Sequence, residues 1–370
     1  MSHLRKLASI LFVLTLMMTF AAPASAQDPV ETGLAYLAEQ QQPDGGFTNG
    51  FSEGSDLGTT LDLVLAIAAA GEDVTTYTSA EGNSPLDYLA AQVSEGTIEL
   101  LGSKAKVALV LNVVGQDPTG FAGQDLLAEL EADYDEATGS LGGSVFDQAL
   151  VILALDSSGE AAPEAAVDYL VDAQADNGGW ALFGEPEGDK ADTNTTSLVI
   201  QALVAAGNEE PIADALDYLH QVQNDDGGFP YQNPSDYGTD TDANSTAYVL
   251  QALNAAGESL DDWAPEGTNP EEALKAMYDA ESGGFLWQAA VPGANVLATA
   301  QAIPALEGYT FVNLPSAPVD FTAAEAETEE TSPETSLLPE SGAVNLLPVA
   351  ISLLGTALMG IGVALRRRAE

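Results

Sequence analysis

A short pattern, Gln-x-x-x-Gly-x-aromatic, recurs along the middle of the chain and constrains its fold more than any other feature. It is complete at residues 41–47, 174–180 and 223–229. Degenerate copies fill the gaps, so that six key glycines lie about 40 to 55 residues apart, at Gly45, Gly96, Gly139, Gly178, Gly227 and Gly283. This spacing is typical of repeats that are built from a pair of helices.

The segments around each copy predict two helices per repeat. An amphipathic stretch such as GLAYLAEQQ precedes the glutamine, and Gly-Gly then ends it, as a residue with positive φ ends a helix. After a polar loop, a second stretch opens with Thr, Asn or Ser and is apolar nearly all round, as in NTTSLVIQALVAAG. That pattern is typical of a buried helix. No segment alternates with period two, so strands are not expected.

Six such repeats predict twelve helices, alternately outer and inner. A linear array of repeats would leave two apolar ends, and such arrays usually carry polar capping repeats. Neither terminal repeat of this chain resembles a cap. We therefore expect residues 27–310 to close into a ring of six inner and six outer helices, an all-α fold called an α6/α6 toroid.

The repeats resemble those of the prenyltransferase and squalene-oxidase repeat family, which includes squalene and oxidosqualene cyclases. The resemblance covers about residues 30–308. It implies a toroid whose inner helices line a cavity. It does not imply one function, because cyclases, protein prenyltransferases, cobalamin carriers and thioester proteins share this fold.

The motif that carries the acid in class II cyclases is altered in this chain. In the family, the middle Asp of Asp-x-Asp-Asp-Thr-Ala protonates the substrate alkene. The matching stretch here is DANSTA at 242–247, where Asn244 replaces the acid and Ser245 replaces its neighbour. The equivalent stretch one repeat earlier, DTNTT at 192–196, also lacks the acid. Since an amide cannot donate that proton, no catalytic residue is predicted, and the alternative is a cyclase whose acid lies elsewhere.

Other functions of the fold are excluded or weakened by composition. The chain has no Cys, so it can build neither the Asp/Cys/His zinc site of prenyltransferases nor a thioester. His220 is the single histidine outside the N-terminal signal, and the chain between its two terminal signals has no Arg, which weighs against ring-shaped polysaccharide lyases. A cobalamin-carrier-like protein stays an alternative, although the β-domain that follows the ring in those proteins has no counterpart here.

The loops that lead into the inner helices should gather on one face of the ring. They and the adjoining turns and helix ends carry oxygen-bearing and aromatic side chains, namely Asp192, Asn194, Asp240, Asp242, Asn244, Trp180, Tyr231 and Trp287. One interpretation is helix capping by the Asp and Asn side chains, with Trp180 as a wedge between repeats. The other is a face that binds a small molecule, a glycan or a surface protein, or Ca²⁺, because residues 240–244 loosely resemble the start of a calcium loop. No metal site is predicted beyond that.

The net charge of the chain limits the classes of partner that it can bind. The 57 Asp and Glu residues face 9 Lys and Arg residues, for a formal net charge of −48. Nucleic acid is excluded as a partner, because binding it depends on basic side chains that neutralise phosphates. Without cysteine there are no disulfides, so stability must come from a buried core.

Both ends of the chain predict export and anchoring at the cell surface. Residues 1–26 have the charged start, apolar stretch and Ala-Ser-Ala end of a signal peptide. Residues 311–337 form an acidic tether rich in Pro, Thr and Glu, for which disorder is expected. The uncharged stretch 343–365 is long enough to span a bilayer and precedes three arginines, which places the ring outside. A motif similar to the sortase sorting signal Leu-Pro-x-Thr-Gly comes before it, at Leu338, Pro339, Glu340, Ser341 and Gly342. A plain single-span anchor is the alternative.

Taken together, these features predict a cell-surface-anchored, non-enzymatic toroid that binds a ligand through its cavity or its loops.

Overall fold

The computed structural model describes residues 28–323, so the predicted signal peptide, sorting signal and membrane segment lie outside the described residues. Within this range there are twelve α-helices. The outer helices are α1 (Pro29–Ala38), α3 (Pro85–Ser94), α5 (Leu126–Glu131), α7 (Glu164–Asp172), α9 (Ile212–Val222) and α11 (Pro270–Ala276). The inner helices are α2 (Leu57–Ala69), α4 (Leu101–Val113), α6 (Val145–Ser157), α8 (Thr193–Ala205), α10 (Ala243–Ala256) and α12 (Val296–Leu306). Each of these helices falls short of the length and apolarity that a bilayer crossing requires.

The six inner helices form a closed ring. Each packs against the next in chain order, and α12 packs against α2. Burial of α8 is continuous from Thr193 to Leu203, as expected for a helix that has neighbours on every side. At the junction of the last and first repeats, the Tyr36 hydroxyl of α1 donates to the Ala294 carbonyl at 3.0 Å. The predicted toroid of twelve helices is therefore confirmed for this part of the chain.

The expectation of no strands is wrong at one place. Strands β1 (Tyr278–Asp279) and β2 (Gly284–Phe285) pair antiparallel in the turn that carries the last copy of the repeat motif. The turn between them is held by Asp279, whose carboxylate accepts from the Ser282 hydroxyl at 2.5 Å. Two residues per strand are too few for alternation to be visible in the sequence.

The repeat motif works through its glutamine amide. In the fourth copy, Nε2 of Gln174 donates to the Gly178 carbonyl at 2.7 Å and to the Pro211 carbonyl, at the start of the next outer helix, at 3.0 Å. The backbone N–H of Trp180 donates to Oγ1 of Thr196 on the inner helix at 2.9 Å. Gly178 has φ +89°, and a Cβ there would lie 2.2 Å from the Asp214 carbonyl oxygen. The motif thus joins one turn to two helices, and only glycine fits at its centre.

The degenerate third copy keeps the same bridge by another route. Asp135 occupies the position of the glutamine, but Gln148 on inner helix α6 reaches the turn instead. Its Nε2 donates to the carbonyls of Gly139 and Ala166 at 2.9 and 3.0 Å, and its Oε1 accepts from the Leu141 N–H at 2.8 Å. One side chain therefore replaces both the glutamine and the threonine of the complete copies.

We expect Gln148→Ala to lower the free energy of unfolding by about 3 kcal/mol, because it leaves buried backbone groups without partners. The exposed Gln221, whose amide bonds only within its own helix to Asp217, provides the control variant Gln221→Ala. Urea unfolding followed by circular dichroism measures both. Equal, small effects of the two substitutions would contradict the bridging role of Gln148.

Residues 309–323, which we call the strap, cross the ring at the C-terminal ends of the inner helices. The N–H groups of Ala317 and Val319 donate to the carbonyls of Val113 and Val114 at 2.9 and 3.0 Å. The Phe321 ring stacks on Phe121, with centroids 6.2 Å apart. Composition predicts a disordered tether from residue 311 onward, but residues 311–323 lie ordered against the ring. The reason is that apolar side chains interspersed among the prolines contact the core, which average composition does not reveal.

Candidate functional site

The loops between each motif and its inner helix form one continuous belt, which we call the loop face. Its long segments are residues 48–56, 181–192, 230–242 and 286–295, and its short ones are 99–100 and 142–144. The first N–H of an inner helix donates to the loop of the following repeat in three cases, each at 2.9 Å: Val145 to Leu182, Thr193 to Tyr231, and Ala243 to Trp287. These bonds hold the loops at the N-terminal end of the ring, as predicted.

Asp192 and Asp242 act as helix N-caps. Asp192 accepts from the Thr195 N–H at 2.7 Å and from its hydroxyl at 2.8 Å. Asp242 accepts from the N–H and hydroxyl of Ser245 at 2.8 and 3.0 Å. Both carboxylates are buried. Capping therefore accounts for these two residues, and neither is available to an external ligand.

Burial gives these two carboxyls unusual protonation behaviour. It raises the pKa of Asp192 to about 7 and the pKa of Asp242 to about 6, while the hydrogen bonds that they accept act in the opposite direction. The half-buried Tyr231 connects them: its side chain hydrogen-bonds to the Asp192 carboxyl, and its backbone bonds to Asp242. Burial and the neighbouring Asp192 raise the pKa of Tyr231 far above its usual value.

A raised carboxyl pKa favours the folded state at low pH. The contribution of Asp192 is complete below about pH 4 and is lost as the pH rises towards 7. The Asp192→Asn variant keeps a capping oxygen but has no titrating carboxyl. As the pH rises from 4.5 to 8, we therefore expect its unfolding free energy to increase relative to that of the wild type, by roughly 4 kcal/mol at most. Asp125→Asn, at the exposed N-cap of α5, controls for the exchange of acid for amide. The measurement is the unfolding free energy of each protein at pH 4.5 and at pH 8. A difference between Asp192→Asn and the wild type that does not change with pH would contradict the raised pKa of Asp192.

The remaining predicted residues separate into core and rim. Trp180 is fully buried, with its indole N–H donating to the Leu170 carbonyl at 2.6 Å, so it is a wedge between helices. Asn194 is buried on α8. Trp287 is half-buried, and its backbone carbonyl accepts the hydrogen bond from the Ala243 N–H. Asp240 is exposed on the loop face. The predicted residues thus do not converge on a single pocket.

Asn244 belongs to a polar chain that crosses the ring interior. Its amide Nδ2 donates to Oε1 of Gln301 at 2.8 Å, and Nε2 of Gln301 donates to the Asp62 carboxylate at 3.2 Å. The other oxygen of that carboxylate lies 2.5 Å from Nζ of Lys106. The chain links α10, α12, α2 and α4. Asp62, Lys106 and Gln301 were not predicted as site residues, although charges inside largely apolar helices could have drawn attention to the first two.

The two charged side chains of this hydrogen-bonded network, Asp62 and Lys106, neutralise each other. Burial alone would lower the pKa of Lys106, but the Asp62 carboxylate, together with Tyr248 and Asp56, outweighs burial and raises the pKa, so the lysine is cationic. The space beside Asp62, beneath the strap, has a volume of about 20 Å³. That is room for about one water molecule. Tyr248 and Phe311 help to line it.

We expect Lys106→Met to destabilise the protein by about 3–5 kcal/mol, because it leaves the Asp62 carboxylate buried without a cation. The double variant Lys106→Met/Asp62→Leu should recover most of that loss, since apolar residues often replace a buried ion pair without cost. Thermal and urea unfolding of the single and double variants measure the coupling. Additive losses would show that the two residues act independently.

The loop face also carries the large apolar side chains that are exposed in the described part of the chain. They are Phe51 at 69%, Phe183 at 68%, Tyr237 at 60% and Leu100 at 37%. They come from four different repeats. None of these four residues is in the predicted set of site residues; for the three aromatic ones, the available signal was an aromatic residue in a loop that is not part of the repeat motif.

The predicted calcium site has no support in the geometry. Among residues 28–323, no group of three or more His, Asp or Glu side chains is positioned to hold a metal ion.

Comparison with known proteins shows the same fold. Residues 126–276 match the family of the squalene-hopene cyclase C-terminal domain. A variant of the type II terpene cyclase MstE from Scytonema, solved in complex with geranylgeranyl dihydroxybenzoate, has a TM-score of 0.52 at 14% identity, over 76% of this chain and 96% of that one. A polysaccharide lyase has a TM-score of 0.50 at 12% identity, over 76% of this chain and 97% of that one. No curated protein matches the sequence. These findings support the squalene-cyclase-like superfamily and its fold, and they leave the activity open.

Proposed function

We propose that this protein is a non-catalytic toroid, displayed on the outer cell surface, that binds a partner through its loop face. The observation that carries the proposal is the confinement of Phe51, Phe183, Tyr237 and Leu100 to one end of the ring. Exposed apolar side chains are ordinary when they are scattered, but a group of them on one face is typical of a binding surface. Binding residues are also commonly placed on loops that a rigid scaffold holds in position.

The ring interior supports the non-catalytic part of the proposal. Asn244 occupies the position of the acid in cyclases that this chain resembles, and its amide donates a hydrogen bond to Gln301. The nearest carboxylate in the same network, Asp62, is paired with Lys106. An alkene-protonating acid must be neutral and able to donate its proton, and neither Asn244 nor the paired Asp62 meets that requirement.

The path of the strap supports display of the loop face. The strap lies at the C-terminal ends of the inner helices, whereas the loop face lies at their N-terminal ends. The chain therefore leaves the described ring at the end opposite the loop face, on its way to the predicted anchor. An anchor on that side would direct the loop face away from the membrane.

A cyclase-like enzyme is the second candidate, and the match of residues 126–276 favours it. The buried Asp192, whose pKa is about 7, is the strongest carboxyl for such a role. However, its oxygens accept hydrogen bonds from Thr195 and Tyr231, and it caps α8. Those bonds engage the carboxyl from inside the protein and leave it as an acceptor.

Purified protein incubated with squalene or with geranylgeranyl dihydroxybenzoate should yield no cyclised product above a heat-denatured control, by gas chromatography and mass spectrometry. The variant Asp192→Asn serves as a matched control for any trace activity. A cyclised product from the wild type that disappears in this variant would overturn the non-catalytic proposal and establish Asp192 as the acid.

A further inference from the structure

We infer that the partner of the loop face is a basic protein segment, whose arginine and lysine side chains lie on the exposed aromatic rings and pair with adjacent carboxylates. This inference rests on the proposed function, because it concerns the same surface and specifies what the surface binds.

Aromatic and acidic residues occur together in three loops of the face. Phe51 is two residues from Glu53, Phe183 is two residues from Glu185, and Tyr237 directly follows Asp236. The Phe183 N–H even donates to the Glu185 carboxylate, at 3.3 Å. The first, fourth and fifth repeats therefore each carry an exposed aromatic ring and an acidic side chain in the same loop, at one end of the toroid.

Negative charge on the loop face is largely unpaired. The exposed carboxylates of its loops are Glu53, Glu99, Glu187, Asp189, Asp236 and Asp240. Among the described residues, the loops hold one cation, Lys190, which lies 3.7 Å from Asp189. The other exposed carboxylates of this group have no cation within ion-pair distance in the same part of the chain. A positively charged partner would supply the missing counter-charges.

Cationic side chains suit this combination of groups. A guanidinium or ammonium group over an aromatic face is attracted by the negative potential of that face. Arginine can also stack its planar group on a ring while its N–H groups donate to a carboxylate. Points of contact in three repeats favour a partner with several such side chains, since linked weak contacts add in affinity.

Other classes of partner fit less well. A neutral glycan could stack on the rings but would gain nothing from the unpaired charges. An anionic polymer would be repelled by a chain with a formal net charge of −48. A purely apolar partner would remove Glu53 and Asp236 from water without replacing their hydration. The same net charge would accelerate the encounter with a basic partner at low salt.

The test uses the full chain in a non-ionic detergent and fluorescently labelled octaarginine as the probe, with cellohexaose as a neutral glycan probe. Isothermal titration measures the affinity of each. In the variant Phe51→Ala/Phe183→Ala/Tyr237→Ala the charge is unchanged, so general attraction to an acidic protein is unaffected. We expect this variant to bind octaarginine at least about tenfold more weakly. Circular dichroism verifies that the fold is intact.

A matched pair of charge variants locates the site. The variant Glu53→Gln/Asp236→Asn/Asp240→Asn removes three negative charges from the loop face. The variant Glu164→Gln/Asp168→Asn/Asp172→Asn removes one Glu and two Asp charges as well, but from outer helix α7. We expect the loop-face variant to weaken octaarginine binding at least about threefold more than the α7 variant does. Equal effects of the two sets, with no effect of the aromatic substitutions, would overturn the inference.

The two probes separate failure of the inference from failure of the proposed function. Binding of cellohexaose that is lost in the aromatic variant, without aromatic-dependent binding of octaarginine, would overturn the basic partner and support the loop face as a glycan surface. Absence of aromatic-dependent binding for both probes would count against the inference and against the loop face as a binding surface.

Discussion

The ring depends on a hydrogen-bond bridge made by one glutamine amide in each of four repeats. The amide donates to the carbonyl of the key glycine and to a carbonyl of the next repeat, through Gln41, Gln148, Gln174 and Gln223. The backbone carbonyls of a turn between two helices take no part in the hydrogen bonds of those helices. Burying such carbonyls without hydrogen-bond partners costs free energy. One side chain satisfies two of them and at the same time fixes the position of one repeat against the next. The six repeats, closed by α1 against the last repeat, make a toroid.

This bridge also explains why the loop face can vary. Once the turn is fixed by the glutamine, by the glycine and by a hydroxyl of the inner helix, the loop that follows adds only a few contacts between repeats, such as those of Tyr231 with Asp192 and of Gln232 with the Asp189 carbonyl. Its length and side chains can differ from repeat to repeat without loss of the ring. Loops 181–192 and 230–242 are long and place Phe183 and Tyr237 in solvent, while loop 142–144 is short. A rigid ring with variable loops at one end is suited to recognition.

The interior and the loop face point to the same division between fold and function. The fold is that of squalene-cyclase-like toroids, yet the inner helices here contribute Asn244, Gln301, Asp62 and Lys106, which are joined by two hydrogen bonds and an ion pair. A buried network of this kind stabilises one arrangement of helices, and its carboxylate is paired with a cation. Meanwhile the exposed aromatic rings lie at the end of the ring opposite the strap, in loops that also carry acidic side chains. Function therefore follows from the groups placed on the ring and not from the ring itself.

Local features of this protein could be predicted from its sequence. The repeat period, the twelve helices and their Asp192 and Asp242 caps depend on neighbouring residues, and ring closure followed from the missing polar caps. Contacts between residues far apart in the chain were decided only by the tertiary structure. Asp62 meets Lys106 across 44 positions and Gln301 across 239, and Gln148 replaces a glutamine that the motif lacks at Asp135. The strap and the exposed Phe51 and Phe183 belong to the same class, because whether an apolar side chain packs or faces water depends on which distant surface reaches it.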